Sequence, residues 1–185
     1  MEVTATATHR AIDAVWRIES ARLIAGLARM VREVGLAEEL AQDALVTALE
    51  RWPESGVPDN PGAWLMATAK NRALDLLRHG RTVERKLEEL RHGIESMRGA
   101  EVPEADAAID DDVGDDLLRL VFAACHPVLS TDARVALTLR LLGGLTTEEI
   151  ARAFLVPVPT VAARIVRAKR SLAEARVPFE VPRGA

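Results

Sequence analysis

The stretch RGAEVPEADAAIDDDVGDD, residues 98–116, constrains the fold more than any other part of this 185-residue chain. It has few large apolar side chains and many like charges. Such a segment cannot bury enough surface to offset the entropy of ordering itself, so it reads as a flexible linker. The chain is then two small units rather than one large core. We expect a first unit over 1–92, an acidic linker over 93–116, a second unit over 117–176 and a tail over 177–185.

Both units carry the periodicity of helices. In the first, Ile12, Val15, Trp16, Leu23, Leu27, Met30, Val31 and Val34 recur at steps of three, four and seven, one stripe of a helix from about His9 to Val34, with Gly35 as its stop. A second helix, about Ala37–Trp52, turns Leu40, Ala44, Leu45, Ala48 and Leu49 inward and Glu38, Glu39, Gln42 and Asp43 outward. PESGVPDNPG makes a loop. A third helix, about Gly62–His79, sets Trp64, Leu65, Thr68, Leu74 and Leu77 toward the core. Residues 81–97 suit a further, more polar helix. Trp16 and Trp52 sit at apolar positions, and Trp64 beside core residues reads as packing rather than as a base-stacking platform.

In the second unit LLRLVFAA is a short helix broken at Pro127. Ser130 caps a helix over Thr131–Leu142, which Gly143 and Gly144 end. Thr146 and Glu149 have capping-box spacing and open a short helix through Phe154. LVPVP turns the chain, and Pro159 suits the first turn of a last helix to about Ala175. Its buried stripe is Val161, Ile165, Ala168 and Leu172. The chain is therefore all-α, with two small helical domains.

Composition removes several functional classes. The one cysteine, Cys125, excludes an internal disulfide or a multi-cysteine zinc site. No apolar run has bilayer length, so a cytoplasmic protein without membrane contact is expected. There is no phosphate-binding Gly-rich loop, no metal-ligand helix and no convincing acid pair, so neither a cofactor nor an enzyme activity is expected. Cys125-His126-Pro127 at a helix end reads as structural.

The formal charge of −4 misleads. Residues 93–116 hold nine acids against one base, Arg98, so the rest of the chain is net positive. The last helix is the sharpest case: Arg164, Arg167, Lys169, Arg170 and Arg176 stand around its apolar stripe with only Glu174 against them. A capped short helix, a tight turn and a long basic helix, in that order, form a helix-turn-helix suited to duplex DNA. Arg and Lys neutralise phosphates there, and Arg can fork onto guanine.

With these residues the chain resembles the alternative sigma factors of bacterial RNA polymerase, of the extracytoplasmic-function (ECF) type. The pattern rests on Gly144-Leu145, Glu149-Ile150-Ala151, Thr160-Val161, Arg164, Arg167-Ala168-Lys169 and Leu172. AEELAQDALVTALERW is similar to the helix that sigma domain 2 offers to the polymerase clamp. PGAWLMATAKNRALDLLRH resembles the segment that melts and reads the minus-ten element. CHPVLSTDARVALTLRLLGGLTTEEIARAFLVP looks like a branch of the family in which a further C-terminal domain follows. This chain stops at VPFEVPRGA, where that extension would start.

The resemblance implies a sigma domain 2 bundle and a helix-turn-helix sigma domain 4, and the role of directing promoter recognition and opening. It places Glu39, Gln42 and Asp43 against the largest polymerase subunit. It lays Lys70, Asn71, Arg72 and Arg78 along the minus-ten strand, and sets Thr160, Arg164, Arg167, Lys169 and Arg170 on the minus-thirty-five duplex. The implied partners are core RNA polymerase, through its clamp and flap region, and promoter DNA. An anti-sigma factor or the chain's own C-terminal extension is a further candidate. Ala162 and Ala163 depart from the polar residues of relatives and offer no base-edge hydrogen bond, which shifts readout toward phosphate contacts and DNA shape.

Three alternatives stay open on the residues alone. A helix-turn-helix regulator could bind duplex DNA without polymerase, or the helix-turn-helix could be vestigial in a protein-binding module. The acidic linker could shield a basic surface by mimicking nucleic acid. Asp75 lies three residues before Arg78, the spacing of an intrahelical ion pair.

Overall fold

The computed structural model describes the backbone of residues 2–91 and 113–181 and the side chains of residues 7–79 and 114–181. The body of the linker and residues 92–97 of the expected polar helix lie outside them. The described residues form α1 (Glu2–Val31), α2 (Val34–Ser55), α3 (Pro61–Arg91), α4 (Val113–Ala124), α5 (Thr131–Leu141), α6 (Thr147–Phe154) and α7 (Val158–Glu174). No helix among them is long and apolar enough to cross a membrane.

α1, α2 and α3 pack pairwise into a bundle. Small residues let the axes approach: Ala25 and Ala28 of α1, Ala37, Ala41, Ala44 and Ala48 of α2, and Ala69 and Ala73 of α3 are all buried, beside Leu27, Leu40 and Leu65. Trp52 closes the end of this core, its ring edge-on to Trp64 at 5.3 Å and 66°. That geometry suits aromatic quadrupoles and assigns Trp64 to packing. α3 runs unbroken through Arg91, so the first part of the expected polar helix is a continuation of the third one. Leu77 is exposed, against expectation, and Ala69 and Ala73 take the inward positions instead.

The boundary between α1 and α2 also differs from the sequence reading. Gly35 is not a stop; it lies in the first turn of α2. The chain turns at Arg32, in the left-handed region with φ 60°. Glu33 then caps α2, its carboxylate accepting from the Gly35 and Leu36 N–H groups at 2.8 and 2.9 Å. Glutamate is not among the usual N-cap residues, which hides this start from the sequence.

In the second half α5, α6 and α7 enclose Leu137, Leu141, Ile150, Val161, Ile165 and Leu172. Ser130 caps α5 by accepting from the Ala133 N–H, and Thr146 and Glu149 close a reciprocal capping box on α6. Leu155 turns the chain between α6 and α7 in the left-handed conformation, at φ 54°. α4 begins at Val113, inside the stretch read as linker. Its Asp116 is buried, held by Arg119 at 2.6 Å and facing Arg29 of α1 at 3.4 Å.

The two halves do not stand apart. α4 packs on α1 and α7 packs on α2, and the buried side chains of both halves form one continuous core. Gly144, at φ 62°, lies at this seam. A Cβ there would make only ordinary contacts, 3.4 Å from Ser20 Oγ and 3.7 Å from the Arg17 Cα, so it is the backbone angle that favours glycine.

Candidate nucleic-acid interface

Each residue of α7 advances about 100° around the axis, which sorts its basic side chains into two groups. Thr160, Arg164, Arg167 and Arg170 fall on one side. The buried stripe Val161, Ile165, Ala168 and Leu172 separates them from Lys169, about half a turn from Thr160. Five residues grouped by sequence are thus divided four and one.

The four line an accessible surface. Arg167 and Arg170 are exposed, and Arg164 and Thr160 are half-buried. Their donors are partly engaged within the chain. Arg164 lies 3.2 Å from Asp132 of α5, Arg167 Nε donates to the Ala163 carbonyl at 3.1 Å, and Arg170 pairs with Glu174 at 2.7 Å. The Glu174 carboxylate holds the Arg170 guanidinium above its ordinary pKa through that hydrogen bond and its charge. Beside them opens a cleft of about 260 Å³ between the start of α5 and α7, lined by Ser130, Asp132, Arg164, Arg167 and Ser171 among others. These are surface pairs that solvent and an arriving phosphate can exchange at small cost.

Lys169 points the other way. Its ammonium donates to Glu38 of α2 at 3.0 Å. Glu38, expected to face out, is 3% exposed because α5 and α7 cover it. Its carboxylate also accepts from Arg140 Nε at 2.9 Å and Gln42 Nε2 at 2.9 Å. Two cations and an amide are what an otherwise buried carboxylate requires. Sequence reasoning missed this because Glu38 occupies a polar phase of α2, and its partners lie over 100 residues away.

On α2, Glu39 is exposed, and Gln42 and Asp43 are half-buried. Asp43 lies 3.2 Å from Arg72 of α3, which brings a residue expected on the polymerase face against one expected on the minus-ten strand. Asn71 and Arg78, seven residues apart, share an exposed face of α3, and Lys70 is half-buried beside it. Arg78 forms the expected pair with Asp75, at 3.5 Å.

α6 fixes the approach of α7. The Glu149 carboxylate accepts from the Thr146 N–H at 2.8 Å and from Arg17 of α1 at 2.8 Å. The backbone bond from Thr146, more than the Arg17 charge, holds its pKa below the ordinary carboxylate value. Cys125 and His126 serve local structure. The thiol is 3.7 Å from Thr138 Oγ1, and His126 Nδ1 accepts from the Val128 N–H at 3.2 Å.

Both halves of the chain match a known family in sequence. Residues 16–82 match Sigma-70 region 2, and residues 119–172 match Sigma-70, region 4. The chain belongs to the sigma-70 family. An uncharacterized protein of Rhizobium meliloti is 38% identical over 84% of this chain and 36% of its own length. A probable ECF RNA polymerase sigma factor of Mycobacterium tuberculosis, SigI, is 28% identical over 94% of this chain and 58% of its own. The ECF sigma factor SigC of that organism is 29% identical over 76% of this chain and 70% of its own. The chain therefore spans 36% and 58% of the first two of these relatives.

In these terms the region 2 match covers most of α1, all of α2 and the described side chains of α3, and the region 4 match runs from within α4 to near the end of α7. The region 2 match lies within the first unit expected from the sequence and the region 4 match within the second, and the seam described above is a contact between the two matched regions. Glu38 and Gln42 belong to one side of it, and Arg140 and Lys169 to the other.

Proposed function

We propose that this chain is an alternative sigma factor of the ECF type, which binds core RNA polymerase and directs it to promoters for initiation. The observation that carries the reading is the presence of both regions in one chain, in order, with a basic outer face on α7. Polymerase supplies the chemistry and this chain supplies position, so the work takes place in the cytoplasm. Glu39, Gln42 and Asp43 of α2 meet the clamp on the largest subunit, and region 4 meets the flap. Lys70, Asn71, Arg72 and Arg78 of α3 follow the opened minus-ten strand. Thr160, Arg164, Arg167 and Arg170 grip the minus-thirty-five duplex through phosphates, and Lys169, held on Glu38 about half a turn away, stays outside that contact.

Titration of the chain into sigma-free core polymerase tests this, with the housekeeping sigma factor as competitor. Saturable, competitive binding and run-off transcription from a subset of promoters are expected. Binding to a duplex operator with no affinity for core polymerase would instead make the chain a stand-alone regulator.

A further inference from the structure

α7 carries two apolar stripes, and only one of them is used in packing. The first is Val161, Ile165, Ala168 and Leu172, all buried. The second is Pro159, Ala162, Ala163 and Val166, spaced i, i+3, i+4 and i+7 and so neighbours on one face of the helix. At 100° per residue its centre lies about 140° round the axis from the buried stripe. Pro159, Ala163 and Val166 are exposed and Ala162 is half-buried, with Val166 at 61%. Apolar residues scattered singly on a surface are ordinary. Four in register on the outward side of a helix otherwise furnished with arginines call for a reason outside the core. Arg164 and Arg167 run along one edge of this ridge, and Arg170 follows Val166 by one turn.

We propose that this ridge enters the major groove and reads thymine through its C5-methyl group, with Val166 as the principal contact and the arginines beside it on the flanking phosphates. The proposal deepens the assignment of α7 to the minus-thirty-five duplex made above and rests on it. The ridge occupies the first half of α7, the part that a helix-turn-helix presents to base edges. Its side chains offer no hydrogen bond, and the one base-edge feature in the major groove that an apolar group recognises is the thymine methyl. Alanine at 162 and 163 keeps the ridge low, so the helix backbone can approach the floor of the groove and Val166 can reach it. A cytosine at the same step would turn its amino group toward the ridge and find no acceptor there. The charged rim fits this occupant, because the guanidinium groups that border the ridge have phosphates on either side of the groove to meet.

Exchange of thymine for deoxyuridine tests the proposal, since it removes that methyl group and leaves every hydrogen-bonding group of the base in place. The full chain, alone and loaded on core polymerase, selects its tightest duplexes from a pool randomised over the upstream element. The selected duplex is then made with deoxyuridine at each thymine in turn. Selection is expected to fix thymine at one position or more, and loss of its methyl is expected to weaken binding about fourfold. Val166→Ala, a change at an exposed position to a better helix former, keeps the fold. It should bind the thymine duplex more weakly by a similar factor and no longer distinguish thymine from deoxyuridine, whereas Arg167→Ala should weaken both duplexes alike. Wild-type binding unchanged by deoxyuridine at every position overturns the proposal, and so does a Val166→Ala chain that keeps the full preference for thymine. A Val166→Ala chain that binds every duplex as the wild type does makes the ridge a protein contact instead. Binding to core polymerase with duplex binding blind to the methyl leaves the sigma reading standing and removes the ridge. Methyl-sensitive duplex binding without affinity for core polymerase does the reverse. No duplex binding in either form removes the assignment of α7 to DNA and the ridge with it.

Discussion

Glu38→Ala is the substitution that weighs the seam energetically. The side chain is 3% exposed and accepts three hydrogen bonds, two of them from cations. Removing one partner of a fully buried ion pair costs about 3–5 kcal/mol, because the remaining charge is stranded. Here the stranded side chains are less confined: Arg140 is 24% and Lys169 20% exposed, so both reach water after a rotamer change. A loss of about 2–3 kcal/mol follows, close to that of one or two charge-assisted hydrogen bonds. For a chain of this length that lowers Tm by roughly 5–10 °C. Urea titration followed by circular dichroism reads it as a lower midpoint, with Asp75→Ala as a control at an exposed pair expected to cost below about 0.5 kcal/mol. In the Glu38→Ala background, Lys169→Met should cost almost nothing further, since the two changes remove one interaction. A loss under about 1 kcal/mol, or full additivity of the two changes, would refute the reasoning.

Three other expectations concern the helix-turn-helix. Arg167→Ala should shallow the salt dependence of promoter-duplex binding by about one unit, whereas Lys169→Ala, turned toward α2, should leave that slope unchanged in filter-binding or anisotropy titrations. Leu155→Gly should raise Tm, because Leu155 is 92% exposed and held at φ 54°, a conformation that costs a side chain about 1–2 kcal/mol and glycine almost nothing. Thr146→Ala should cost about 1 kcal/mol of stability by opening the α6 cap. In the intact chain the Glu149 pKa is lowered on folding, so its stabilisation is complete above the ordinary carboxylate value and is lost as pH falls through the lower folded value. Carbon NMR of the Glu149 side chain across acid pH should follow this, and a midpoint at or above the ordinary value would contradict it.

Local features were legible because a few adjacent residues determine them. The Ser130 cap, the Thr146–Glu149 box and the stripe from Val161 to Leu172 all stand where periodicity and capping chemistry put them. Legibility failed where a local signal was unusual or where a distant surface decided the outcome. Glu33 caps α2 although glutamate seldom does, so Gly35 was read as a stop when it lies in the first turn of α2, where a Cβ would come within 2.6 Å of the capping Glu33 carboxylate. Glu38 and Lys169 sit at polar phases of their helices, and no pattern within either helix marks them as facing another element.

Charge shows the same division at a larger scale. Residue types located the basic helix and, Glu38 apart, the polar side of α2, and each was assigned to an external partner. In the folded chain part of that charge is used internally: an α7 cation meets an α2 anion, Arg17 meets Glu149 and Arg29 meets Asp116. A helix that attracts phosphate also attracts carboxylate, and the carboxylates of its own chain are present at a far higher effective concentration than any promoter. Promoter DNA answers with many closely spaced charges and the release of counterions, which single internal pairs on an exposed face do not match. Arg164 with Asp132 and Arg170 with Glu174 are such pairs, and in the proposed role DNA would displace them at small cost. Lys169 with a buried Glu38 is not, because taking the ammonium away leaves a buried carboxylate short of one of its two cations.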